Sequence, residues 1–300
     1  MGRLRRNLVS LTISVLFAAA CCRPGPAARP HTRAELESRR LEIARFGQPG
    51  FSTRVIPPFV LVGDAPPAIF DQDARVVSWA VRRLKSDFFP HDPDPILAIW
   101  MFDGSMSYER NVSALWGGSP PSPYGYYSPC QQALVVNASS GNGTLVHELV
   151  HAFMDANFPA APVWYNEGLA SLFERPAEAS GHLRGTVNSR LRDLKQGWRA
   201  GRAPGLGALL RCSRSDFQGE RRSEHYAAAR YLLYWLQESG RLITFHSRFV
   251  ATVASDPTGE QTLLAVTGAR SLARVDEQWR PFVMALDERV PPPATDVPDR

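Results

Sequence analysis

The sequence predicts an α+β fold, with an N-terminal α/β subdomain containing a small sheet followed by a mostly helical C-terminal subdomain. Three observations predict it. Between Phe51 and Asp103, short apolar runs flank one long stretch at helical spacing. Residues 144 to 154 read as an amphipathic helix with two histidines one turn apart. After Pro162 nearly every periodic segment is helical: Val187–Trp198, Glu224–Leu236, Ile243–Val253, Glu260–Thr267 and Leu272–Leu286.

In chain order, residues 1–22 read as a signal peptide. Arg3, Arg5 and Arg6 precede an apolar run from Leu8 to Ala20, and the exit is Ala18-Ala19-Ala20-Cys21-Cys22. The run is too short to span a membrane. Export is therefore expected, to the periplasm, to the cell envelope as a lipoprotein, or to the medium. A lipid on Cys21, tethering the chain to a membrane, and simple cleavage both remain open. Removing the three leader arginines from 34 basic residues leaves 31 against 29 acidic ones. That near balance gives no argument for nucleic acid as a partner.

Residues 23–50 read as a tether and a surface helix. The tether is Pro- and Ala-rich, the helix runs from Arg33 to Phe46, and Gly47 to Gly50 breaks it. Residues 51–155 form the α/β subdomain. Phe59–Gly63 and Ile96–Phe102 are strands, Phe70–Phe89 and Ser105–Leu115 helices, and Ser119–Pro129 a loop. Gln132–Asn137 is a strand just before the histidine helix. Residues 156–288 are the helical subdomain, and 289–300 a disordered tail. Cys130 and Cys212 remain after the leader, and an exported protein can join such a pair.

The chemistry concentrates in His147-Glu148-Leu149-Val150-His151, an H-E-x-x-H pattern. On a helix, the imidazoles at i and i+4 reach one metal ion, and Glu148 sits about 100° further round, able to touch a water there. Asn142 or Thr144 can cap this helix, and Leu145, Leu149 and Phe153 give it an apolar stripe. A second helix starts near Trp164 and carries Glu167 in its first turn. A helix-dipole role would explain an acid there. It would not explain an acid among Trp164, Leu169, Ala170 and Leu172, where an ionised carboxylate needs a partner.

His147-Glu-Leu-Val-His151 followed by Trp164-Tyr-Asn-Glu-Gly-Leu-Ala170 resembles the gluzincin metallopeptidases, the thermolysin and aminopeptidase N clan. The likeness is strong over Tyr124 to Phe173 and looser to Leu286, and the layout is similar to that of bacterial exported gluzincin-like proteins. It implies one Zn²⁺ per chain, held by His147, His151 and Glu167. Glu148 would be the general base, and Tyr226, or His225 beside it, the donor to the developing oxyanion. The substrate would be a peptide or protein, paired with the strand along the cleft. The aminopeptidase motif that grips a free amino terminus is not visible, which favours endopeptidase action. Ser171 stands where the thermolysin-like pattern has an aspartate, and Asp155 could orient a ligand histidine instead. Two other readings stand beside the peptidase: a non-catalytic envelope binding module keeping the same fold, and metal-dependent hydrolysis of a non-peptide amide.

Overall fold

The computed structural model describes residues 29–46 and 50–287. The expected signal peptide, Cys21 and the C-terminal tail lie outside the described residues. The structure is mixed α+β with a small mixed sheet.

Helix α1 (Arg33–Ala44) opens with a capping box between Thr32 and Glu35. The sheet comprises β1 (Ser52–Ile56), β2 (Phe59–Gly63), β3 (Ala98–Phe102), β4 (Gly125–Ser128) and β5 (Ala133–Asn137), in spatial order β1-β2-β3-β5-β4. The central strands β2, β3 and β5 run parallel, and the two edges are antiparallel. Helix α2 (Pro67–Asp87) links β2 to β3, and α3 (Ser105–Trp116) follows β3.

The central strands read as unbroken apolar runs because both their faces are buried. Alternate residues point to opposite sides. Phe59, Leu61, Ile99, Met101, Leu134 and Val136 join the main core. Val60, Val62, Trp100, Phe102 and Val135 join a smaller core with Ile43 of α1 and Tyr108 and Val112 of α3.

Beyond the sheet lie α4 (Asn142–Asn157), α5 (Val163–Leu172), the hairpin β6 (Pro176–Ala179) and β7 (His182–Gly185), and then α6 (Arg190–Arg199), α7 (Leu206–Leu210), α8 (Arg214–Phe217), α9 (Arg222–Glu238), α10 (Leu242–Thr252), α11 (Glu260–Thr267) and α12 (Leu272–Ala285). The main core is continuous across residue 155, running from Phe59 of the sheet through Phe153 and Trp164 to Trp279 of α12. No helix among the described residues is long and apolar enough to cross a membrane.

Four expectations change. The segment expected as a loop contains β4, a sheet edge, and the strand expected along the cleft, Gln132–Asn137, is β5, which lies inside the sheet. The helical subdomain contains the β6–β7 hairpin, turned by Ser180 and Gly181 at positive φ of 53° and 78°. Gly141, at φ 87°, caps α4, and neither Asn142 nor Thr144 does. Cys130 and Cys212 are free thiols.

Candidate metal centre

The outward face of α4 is set by what the rest of the helix buries. Leu145, Val146, Leu149, Val150 and Phe153 are fully buried in the main core. His147 and His151 are left on the remaining side, one turn apart. Helix α4 ends at Asn157, and a turn ending in Pro162 starts α5, which returns beside it. Glu167 falls in the second turn of α5, so the dipole of the helix start does not account for it.

These residues converge. Nε2 of His147 and Nε2 of His151 are 3.0 Å apart. Oε2 of Glu167 is 3.9 Å from the first and 3.6 Å from the second. The three side chains could hold a metal ion. A triangle with these sides has a centre about 2 Å from every corner, the distance divalent zinc keeps from imidazole nitrogen and carboxylate oxygen.

Each histidine is fixed from behind. Asn166 Oδ1 lies 2.6 Å from Nδ1 of His151. Glu174 Oε1 lies 3.6 Å from Nδ1 of His147, and Arg190 grips the same carboxylate through two N–H donors at 2.7 and 2.6 Å. Such partners fix the ring orientation and leave Nε2 free to ligate. Burial disfavours a charged His147, but the Glu174 carboxylate beside its ring and the charges of Glu148 and Glu167 outweigh it and raise its pKa. Burial alone would raise Glu174, yet the nearby His147 ring and the hydrogen bonds from Arg190 hold it well below the usual carboxylate range.

Glu148 is 7 % exposed and faces the cleft of about 440 Å³ that holds the cluster. Tyr226 of α9 lines the same cleft, where its hydroxyl feels the Glu167 carboxylate. Burial, then the Glu167 charge, pushes its pKa up, so the hydroxyl keeps its proton. The approach of α9 depends on Gly168: a Cβ there would sit 3.1 Å from the Ala229 side chain. Gly143 serves the α4 end, since a Cβ there would fall 1.8 Å from the Glu174 carbonyl oxygen.

No family model matches the chain, and no curated protein matches it.

The structure therefore brings together His147, Glu148, His151, Glu167 and Tyr226. It does not bring in His225. That ring stacks on Phe217 at 5.5 Å, with Nε2 4.0 Å from the Cys212 sulfur. Neighbours on a helix point about 100° apart, so only one of the pair can face the cleft. Asp155 also lines the cleft but bonds Tyr127, and Asn166 orients His151 instead. Glu174 and Arg190 escaped the sequence reading. Glu174 supplies the orienting carboxylate that Ser171 cannot, and Ser171 Oγ is buried without a hydrogen-bond partner. Asn166 had a readable signal, its place beside Glu167.

Proposed function

We propose that this chain is an exported zinc-dependent peptidase that hydrolyses peptide bonds, with endopeptidase action favoured. The observation that carries the reading is the common centre about 2 Å from two imidazole nitrogens and a carboxylate oxygen, beside a cleft holding a further, non-ligand carboxylate. Zinc held by His147, His151 and Glu167 would acidify a water and polarise a carbonyl. Glu148 accepts the proton of the attacking water and passes it to the leaving amine. Tyr226 donates a hydrogen bond to the carbonyl oxygen as charge develops there. Asn166 and Glu174 keep the two imidazoles in one tautomer.

The substrate backbone lies along β4. This edge strand has one partner, β5, so its outer N–H and C=O groups can take an extended peptide by strand addition. Gly125, Tyr126 and Tyr127 of β4 line the cleft. The basic, apolar, small-residue order of the leader supports export.

The test compares wild type with Glu148→Gln, measuring bound zinc and cleavage of casein and a peptide library. Stoichiometric zinc in both proteins with cleavage only by wild type is expected. Equal cleavage by the two removes the role given to Glu148, and wild type that binds zinc but cuts no peptide removes the peptidase reading.

A further inference from the structure

One stretch of the cleft wall is not used by the reaction just described. Arg214 of α8, Gln218 after it and Arg222 at the start of α9 line the cavity together with Glu148, Glu167 and Tyr226. All three are exposed and present N–H donors.

Arginines nearby on the same subdomain are satisfied by acids: Arg190 by Glu174, Arg202 by Glu224 and Arg211 by Glu260. Among the described residues, neither Arg214 nor Arg222 has an ion-pair partner within 4 Å. Arg222 is instead held with its guanidinium 5.6 Å from the ring centroid of Tyr226. A stacked guanidinium keeps its N–H fork free for an incoming acid, and has lost part of its freedom before binding. Arg214 senses the Asp155 charge, but from beyond ion-pair distance. The cleft is thus divided: acids gather around the metal cluster, and two uncommitted guanidiniums flank an amide along the α8–α9 wall.

We propose that Arg214 and Arg222 form a carboxylate-binding wall, so that the substrates of this cleft are acidic peptides. The carboxylate belongs to an Asp or Glu side chain or to a free C-terminus, within roughly two residues of the bond cut, since the cleft spans only a few residues of extended chain. This rests on the peptidase reading of the cleft. Arginine forks match planar carboxylates in geometry, and a charge-assisted hydrogen bond of this kind changes affinity by about tenfold or more.

The experiment measures binding to zinc-loaded Glu148→Gln protein by fluorescence anisotropy, with cleavage by wild type alongside. Two peptide sets are used. One differs only in a free C-terminal acid against its amide, the other only in internal Glu against Gln. Tighter binding of the acid member, by about tenfold, is expected in one set, and that set identifies the source of the carboxylate. In R214Q/R222Q the acid-to-neutral ratio should collapse to within about twofold, whereas R248Q, exposed on α10 outside the cleft, should keep it. Equal binding of acid and neutral peptides that are still cleaved overturns the carboxylate wall alone. A preference that survives in R214Q/R222Q overturns it as well. No binding by any peptide overturns both this wall and the peptidase reading.

Discussion

Glu174 reaches His147 from behind, with its Oε1 3.6 Å from Nδ1 of the ring, while Arg190 holds the same carboxylate from the other side. The pair belongs to a chain of contacts that closes on itself. Arg190 lies 5.0 Å from the ring centroid of Tyr226, Tyr226 shares the cleft with Glu167, and Glu167 faces both histidines. Loss of such an outer partner typically costs 10–100-fold in metal affinity. Glu174→Gln keeps the size but gives up the charge, and should weaken zinc binding by about that factor with little change in fold. Chelator competition measures it; unchanged affinity would mean that His147 needs no carboxylate behind it.

Tyr226 and His225 can be separated by kinetics. Tyr226→Phe should lower kcat by ~10²–10³ with bound zinc retained, the usual cost of one donor to a developing oxyanion. If zinc affinity falls instead, the hydroxyl serves Glu167 and not the substrate. His225→Ala should leave kcat within about twofold, because its ring faces Phe217.

Arg230 is fully buried and donates to the carbonyl oxygens of Ser171 and Thr186. It thereby ties the last turn of α5 to α9 and to the chain following β7. Arg230→Met removes a charge-assisted donor from both carbonyls, leaving that of Ser171 only backbone N–H donors such as that of Glu174, and should lower stability by about 3 kcal/mol. The urea midpoint reports this, and a loss below about 1 kcal/mol would show that water replaces the guanidinium.

His246 gives the fold an acid limit. It lies among Phe88, Phe89, Phe158 and Tyr165, bonded to the Tyr165 hydroxyl and the Phe88 carbonyl. Burial pushes its pKa down to about 4 from an ordinary 6.5. Between those values the unfolded chain takes up a proton that the folded chain refuses. Stability should therefore fall as pH drops from 6.5 to 4, by up to about 3 kcal/mol, with no contribution from this group above that window. Urea unfolding at pH 7, 5.5 and 4 tests it, with His246→Phe expected to show a shallower slope despite lower stability at pH 7.

The sequence was legible where its periodicity was long or strong. β2 and β3 bury both faces, and α2, α4 and α9 carry unbroken apolar stripes, so their positions could be read directly. Four-residue strands could not: Gly125-Tyr-Tyr-Ser has only one buried residue and sits among Ser and Pro. The candidate ligand cluster could be read because its spacing is local to two adjacent helices. Glu174 and Arg190 could not, because they meet only when the chain returns through the β6–β7 hairpin and α6 packs on α9. The choice between His225 and Tyr226 likewise depended on where Phe217 packs.

All three candidate ligands come from the single corner that α4 makes with α5, between residues 147 and 167. An ion clamped there closes a very short loop and removes little freedom from the rest of the unfolded chain. It stiffens one corner and does not fasten the sheet to the distant helices, which their shared core already joins. Stripping the ion should therefore loosen the α4–α5 turn while the remainder keeps its shape, so that the protein can be emptied and refilled without passing through the unfolded state.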